Sequence, residues 1–151
     1  MVETSSAFLL IQRAKYMFTD LPYLQRALAR NEVVLFLGAG FSSSAKNIFG
    51  HNLPLTTDLC KILWQYLDYP GEWDSSPLQT LFQAALKSSK GHDTLQKLLE
   101  DTFLVKDVPL WYDFLTTPFW YRIYTTNIDN LVEFTYRRTT KILKLGIVNG
   151  R

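Results

Sequence analysis

Apolar residues recur at three- and four-residue intervals through most of this chain, a spacing typical of helices with one buried face. The apolar run at residues 8–11 predicts a first helix that ends near Asp20. Pro22 suits the first turn of a second helix, which ends at Asn31. Three further segments carry the helical spacing: Leu59, Ile62, Leu63, Tyr66 and Leu67; Leu78, Leu81, Phe82, Ala85 and Leu86; Leu95, Leu98, Leu99 and Phe103.

Polar and turn-forming residues mark the ends of these three helices. Thr56 or Thr57 is expected to cap the first of them. Gly91 fits the position just after the second helix, and Asp93 fits the cap of the third. Pro109 then begins a short aromatic segment. The chain between residues 56 and 116 is therefore predicted to be nearly all helical.

Three segments follow a strand pattern instead. Residues 33–37 form a continuous apolar run with β-branched members, which predicts a buried strand of a parallel sheet. Residues 120–126 are rich in strand formers and precede a helix that carries Leu131 and Val132. Residues 141–145 predict a third strand.

This order of elements predicts the α/β class. We expect a Rossmann-like, three-layer parallel sheet, with a helical insertion at about residues 56–116 between the first and second strands. Three strands make a thin sheet for this class, so the domain is expected to be incomplete at the C-terminus. Residues 1–151 are then the N-terminal part of one domain that continues beyond Arg151.

Composition narrows the class of protein. Hydrophobic residues make up 47% of the chain and charged residues 20%, an ordinary globular balance. The net charge of +2 does not favour a nucleic-acid binder. Residues 134–151 carry no acid and five positive side chains, which suit a solvated surface or a contact with phosphate or nucleic acid. No apolar stretch reaches the length of a membrane span or a signal peptide, so a cytoplasmic location is expected.

The single cysteine, Cys60, limits covalent and metal chemistry. One cysteine cannot form a disulfide within the chain, and it cannot supply a four-cysteine zinc ribbon. Cys60 lies in an apolar helical pattern and is expected to be a small core residue. We therefore expect no metal site and no zinc.

A glycine-rich loop follows the first predicted strand directly, at Gly38-Ala39-Gly40-Phe41-Ser42. Glycines let the backbone turn tightly and let a phosphate approach the backbone amides. The ordinary dinucleotide fingerprint would need a third glycine where Ser43 stands, and the loop also lacks the glycine and hydroxyl of a P-loop. A tight turn without a ligand and a phosphate-binding loop both remain open on this motif alone.

A second polar loop, Thr125-Thr126-Asn127-Ile128-Asp129, lies at the end of the second predicted strand. In open α/β sheets, ligands bind outside the carboxyl ends of the strands, so the two loops are expected to face one crevice. Asn127 offers a donor and an acceptor to sugar hydroxyls or to a carboxamide. Alternatively, Asn127 or Asp129 simply caps the following helix.

Taken in order, residues 38–42, Leu53-Pro54 and residues 125–129 resemble the sirtuin family of NAD-consuming enzymes. The resemblance is greatest to the divergent sirtuin-like domains of prokaryotic antiviral defence proteins. It implies NAD as the substrate and a set of residues that bind it. The implied NAD-binding residues are Gly38, Ala39, Gly40, Phe41, Ser42, Pro54, Thr126, Asn127, Ile128 and Asp129.

The resemblance also implies a role for each loop. The glycine loop would cradle the phosphates and the adjoining ribose, while Ile128 and Asp129 would receive the nicotinamide carboxamide. Asn127 would be the catalytic residue that orients the reacting water. The implied reaction is hydrolysis of NAD+ to nicotinamide and ADP-ribose, in antiviral defence.

One departure from the family leaves the general base unidentified. The family uses a histidine that follows the asparagine loop, whereas the two histidines here, His51 and His92, both precede it. This chain alone is expected to be inactive if the base lies beyond Arg151. Two alternatives stay open: an NAD-dependent protein deacylase, and a domain that senses NAD or an ADP-ribose derivative without turnover. Further domains and oligomerisation are open, whereas nucleic-acid and membrane partners are not expected.

Overall fold

The computed structural model describes residues 21–139. Five α-helices lie in this range: α1 Leu21–Ala29, α2 Thr56–Tyr66, α3 Leu78–Leu86, α4 His92–Phe103 and α5 Leu131–Arg138. Four strands accompany them: β1 Val34–Leu37, β2 Lys46–Asn47, β3 Val105–Asp107 and β4 Arg122–Thr125. Two 3-10 helices complete the list, Ala39–Ser44 and Leu110–Thr116. The helix predicted before Asp20 and the strand predicted at residues 141–145 lie outside the described residues.

The chain divides into two compact units. The first contains the described residues 21–35 and 118–124, and the second contains 36–117 and 125–139. In the first unit, α1 ends at Ala29 and Asn31 takes a left-handed conformation with φ of 58°, as the predicted end of this helix requires. The Tyr121 amide donates to the Val33 carbonyl (2.8 Å) within the same unit.

β1 and β4 pair as a two-stranded parallel sheet, which confirms the mixed α/β class. The prediction that the first strand is buried throughout was wrong. Val34 is 38% exposed and Phe36 is 74% exposed, whereas Leu37 is buried. Alternate residues of a strand face opposite sides of a sheet, so one face of β1 is open to solvent. A continuous apolar run predicts that other elements pack on both faces of the strand, whereas the described residues pack on only one face.

The three helices predicted in the middle of the chain are confirmed, whereas residues 105–107, also inside the predicted helical insertion, form β3 instead. The three helices form one cluster of the core in the second unit. α2 packs against α3, and α3 packs against α4. Their buried side chains are Leu59, Cys60, Leu63, Leu81, Ala85 and Leu95. Five of these residues come from the positions that the helical spacing indicated, since each helix has one apolar face to bury, and Cys60 is the small core residue that was expected.

The predicted helix ends need three corrections, the first of which concerns Asp93: it lies within the first turn of α4 and does not cap this helix. Thr56 and Thr57 do not cap α2: Leu55 precedes the helix, and the Asp58 carboxylate accepts a hydrogen bond from the Leu55 amide (3.3 Å). Gly91 does not follow α3 directly but precedes α4, with φ of 84° and ψ of 159°. A positive φ suits glycine at either kind of helix end, so the local sequence does not distinguish the two.

A second small sheet was not predicted. β2 pairs with β3 in antiparallel fashion, and Asn47 lies opposite Val105. The buried Asn47 side chain donates to the Thr102 carbonyl (3.3 Å) and accepts from the Phe49 and His51 amides (3.0 and 3.1 Å). The polar residues 44–52 predict a loop, and only pairing with the distant chain after α4 makes part of it a strand.

No helix within residues 21–139 is long and apolar enough to cross a membrane.

Candidate functional site

The glycine loop forms a short helix directly after β1. Gly38 is extended (φ −112°, ψ 172°), and its carbonyl accepts from the Phe41 amide (2.8 Å) in the 3-10 helix Ala39–Ser44. A Cβ placed on Gly38 or Gly40 would meet nothing within 4 Å, and neither residue has a positive φ. Neither backbone conformation nor packing therefore demands glycine here. The open space beside this backbone is available to a group that approaches its amides.

The asparagine loop begins where β4 ends beside β1. The Thr126 amide donates to the Leu37 carbonyl (3.2 Å), so this loop starts next to the residue that precedes Gly38. The Thr125 hydroxyl accepts from the Asn127 amide (3.0 Å) and closes a tight turn. The two loops thus lie together at the carboxyl ends of parallel strands, which is where the sequence predicted them.

A direct side-chain contact joins the two loops. Asn127 donates through Nδ2 to the Ser42 hydroxyl at 2.7 Å, and Ser42 is only 2% exposed. The other terminal atom, Asn127 Oδ1, is buried and has no hydrogen-bond partner among the described residues. A hydroxyl can both donate and accept, so exchanging the amide oxygen and nitrogen would still leave one of them unpaired. An unpaired buried polar atom costs about 1–3 kcal/mol.

Asp129 hydrogen-bonds to the start of α5, although Asn130 is the residue that directly precedes this helix. Asp129 Oδ1 accepts from the amide of Leu131, the first residue of α5 (3.0 Å). Next to it, Asn130 Oδ1 accepts from the Val105 amide at 2.7 Å. Asn130 was not predicted, because its partner lies 25 residues earlier in a strand that the sequence did not indicate. Both side chains hold the asparagine loop in place from its C-terminal side.

Tyr112 is a third component of the site that the sequence did not indicate. It is fully buried, and its hydroxyl donates to the Phe41 carbonyl at 2.6 Å. Burial raises the pKa of this hydroxyl, hydrogen bonding with Ser44 opposes the rise, and the Asp129 carboxylate adds to it. The tyrosine thus lies close to both loops. No local motif could reveal a contact between residues 71 positions apart.

The aromatic segment around Tyr112 also contacts the ring of Phe41. Three rings meet Phe41 edge to face: Trp111 at 5.8 Å, Tyr112 at 5.3 Å and Phe114 at 5.9 Å between centroids. Such arrangements are the preferred ones for aromatic pairs. The Phe41 side chain therefore anchors the glycine loop to the second 3-10 helix, and its backbone remains at the site.

The Leu53-Pro54 motif is brought back to the end of the glycine-loop helix. The Leu53 amide donates to the Ala45 carbonyl (2.9 Å), and the Leu53 side chain is buried. Pro54 follows it and is half-buried. All three motifs of the resemblance therefore lie in the second unit, with Leu53 rather than Pro54 making the described contact.

Ile128 lines an apolar groove to which none of the other predicted site residues contributes. Its side chain is 68% exposed and, with Asn130, lines one part of this groove, which has a volume of about 1000 Å³ and lies between α3 and α4. His92 lines the same groove, and His51 is exposed. Within residues 21–139, neither histidine side chain hydrogen-bonds to either loop, and no group of three or more His, Cys, Asp or Glu side chains is placed to hold a metal ion.

No family model matches this chain, and no curated protein or solved structure is significantly similar to it.

Proposed function

We propose that this chain binds NAD+ at the two loops and hydrolyses the bond between its nicotinamide and ribose, as the resemblance to sirtuin-like domains implies. The observation that carries the proposal is the Asn127 amide, which is bonded to Ser42 of the glycine loop and has a buried, unpaired Oδ1. A ligand or water that donates a hydrogen bond to this oxygen would remove its cost. We further propose that β1 and β4 belong to a Rossmann-like, three-layer sheet.

The glycine loop fits the diphosphate of this substrate. Gly38 and Gly40 have no Cβ, and the space beside them is open. A phosphate oxygen can therefore approach the backbone amides there more closely than it could if these residues had side chains. The Ser43 hydroxyl is already engaged by the Gly40 carbonyl (2.8 Å), which steadies the turn. Backbone amides, rather than a lysine or arginine, are then the donors to the phosphates.

Asn127 fits the reacting end of the substrate. Hydrolysis joins a water oxygen to the ribose C1′, releases neutral nicotinamide with the bonding electron pair, and liberates one proton. The transition state has oxocarbenium character, so a fixed amide dipole beside C1′ stabilises the developing charge. Asn127 Oδ1 can accept a hydrogen bond from the attacking water and orient it, while Ser42 keeps the amide from rotating.

A second candidate, a domain that binds NAD+ without turnover, is favoured by one observation. The side chains bonded to Asn127 are the hydroxyls of Ser42 and Thr125, and neither is a general base near neutral pH. The liberated proton therefore has no acceptor among these partners. The deacylase alternative gains no comparable support from the described residues.

The test is nicotinamide release from NAD+ by the purified protein, measured by chromatography with and without an acylated-lysine peptide. Binding of NAD+ is measured in parallel by calorimetry. Asn127→Ala is expected to reduce release by about 100-fold to 1000-fold, the usual effect of removing one fixed dipole from an active site. Gln65→Ala removes a side-chain amide from the exposed surface of α2 and is the matched control, expected to match the wild type.

Each outcome decides between the candidates. Release from NAD+ alone that Asn127→Ala abolishes supports the hydrolase. Release only with the peptide would replace it by a deacylase, and binding without release would replace it by a non-catalytic domain. Absence of NAD+ binding by the wild type would overturn the assignment of the site.

A further inference from the structure

Tyr112 places a polar group where an apolar one would pack equally well. Its ring is fully buried beside Phe41 and stacks on Trp111 with 3.7 Å between ring centroids, contacts that a phenylalanine could also make. Only the hydroxyl distinguishes tyrosine here, and it costs free energy to bury unless it is hydrogen-bonded. That hydroxyl donates at 2.6 Å to the Phe41 carbonyl, in the middle of the glycine loop.

The glycine loop needs such an external contact. The 3-10 helix Ala39–Ser44 has six residues and begins between two glycines, which lose more conformational freedom on folding than other residues. Hydrogen bonds in 3-10 helices have poorer geometry than those in α-helices, so short ones depend on tertiary contacts. The described contacts that hold this loop include the Ser42–Asn127 bond on one side and Tyr112 on the other.

We propose that Tyr112 is a positioning residue, which holds the glycine loop in its ligand-binding conformation through the Phe41 carbonyl. This inference rests on the proposed function, because the ligand it concerns is the diphosphate of NAD+. Without the hydroxyl, the loop samples more conformations, and NAD+ must order it on binding. The chemical step, which depends on Asn127, is left unchanged.

The chain offers a matched control in Tyr136. Like Tyr112, Tyr136 has a hydroxyl that donates to a backbone carbonyl, in this case that of Leu115 (3.2 Å). Tyr136 is half-buried, and burial raises the pKa of its hydroxyl as well. Its bond lies in the contact between α5 and the second 3-10 helix, and its acceptor is not a residue of the glycine loop. Tyr112→Phe and Tyr136→Phe therefore each remove a hydroxyl that donates to a backbone carbonyl in a partly buried bond, and only the carbonyl bound by Tyr112 belongs to the glycine loop.

The experiment compares both variants with the wild type in three measurements. Tyr112→Phe is expected to weaken the binding of NAD+ and of ADP-ribose by a similar factor, about fivefold, as expected for one hydrogen bond. The rate of nicotinamide release at saturating NAD+ is expected to stay the same, so that KM rises and kcat does not. Without ligand, amide hydrogen exchange at residues 39–44 is expected to accelerate in Tyr112→Phe and not in Tyr136→Phe.

The measurements separate failure of this inference from failure of the proposed function. If the wild type binds NAD+ and both variants bind equally well, Tyr112 does not position the loop. Unchanged exchange at residues 39–44 in Tyr112→Phe would overturn the inference without reference to any ligand. A wild type that does not bind NAD+, with exchange still accelerated by Tyr112→Phe, would overturn the proposed function and keep the role of Tyr112 in ordering the loop.

Discussion

Replacing Gly38 by alanine separates what the fold needs from what a ligand needs. At Gly38 the backbone is extended, with φ of −112° and ψ of 172°, a conformation that any residue can adopt. A Cβ there would meet no atom within 4 Å. Alanine also reduces the conformational freedom of the unfolded chain, which stabilises a protein by about 0.4–1 kcal/mol at a compatible site. Gly38→Ala is therefore expected to fold as stably as the wild type or slightly more so.

The same methyl group should weaken NAD+ binding. If the phosphates approach the backbone of the glycine loop, the new Cβ occupies space that the ligand uses. Forcing an extra methyl group into a packed contact costs about 1–3 kcal/mol. That cost corresponds to a dissociation constant about 5-fold to 150-fold higher. Urea denaturation measures the free energy of unfolding, and calorimetric titration with NAD+ measures the affinity.

Gly91→Ala is the control with the opposite expectation. Gly91 has φ of 84° and ψ of 159°, a region that essentially only glycine occupies. It lies directly before α4 and belongs to neither of the two loops. Alanine there should lower the free energy of unfolding by about 1–3 kcal/mol and leave NAD+ affinity unchanged. Wild-type affinity in Gly38→Ala would refute the reasoning, since the open space would then have no connection with the ligand.

Two further substitutions and one measurement of thiol reactivity test other contacts. Ser42→Ala removes the partner of the Asn127 amide and is expected to slow nicotinamide release about tenfold, measured by chromatography; an unchanged rate would show that this bond does not orient the amide. Asn130→Ala leaves the Val105 amide without its acceptor, and a loss of about 1–3 kcal/mol is expected in urea denaturation; a loss below 0.5 kcal/mol would contradict it. Cys60 is buried, and burial raises the pKa of its thiol. At pH 8 a disulfide reagent should therefore react slowly with the native protein and rapidly with the protein unfolded in urea. A fast reaction with the native protein would contradict the burial of Cys60.

Much of the fold could be predicted because its signals are local. The three helices between residues 56 and 103 each bury one apolar stripe, and the spacing of leucines alone reveals such a stripe. The two loops could be placed together because parallel strands bring their carboxyl ends to one edge of a sheet. The contact of Ser42 with Asn127 agrees with that placement.

The parts that were missed depend on residues far apart in the chain. β3 has three residues and forms because Asn47 and Val105 meet across the second unit, which no local pattern encodes. Tyr112 reads as an ordinary core aromatic until its hydroxyl is seen 2.6 Å from the Phe41 carbonyl. Burial of β1 was overestimated because an apolar run indicates what a strand could bury, whereas cover depends on how many layers surround it.

Two features of the site are difficult to explain as requirements of the fold. The glycines of the loop are not demanded by backbone conformation or by packing, and alanine would be the more stable choice at such positions. Asn127 keeps one buried polar atom unpaired among the described residues, although most buried polar atoms in folded proteins are paired. Both departures lower stability, both lie where ligands bind in open α/β sheets, and Ser42 joins them through one hydrogen bond. Such departures from local stability rules are expected at functional sites, because a binding site must leave space and hydrogen-bonding groups for its ligand. A ligand whose phosphates approach the glycine backbone, together with a group that donates a hydrogen bond to the Asn127 oxygen, accounts for both features. In the proposed reaction, NAD+ supplies the phosphates and the attacking water supplies the donor.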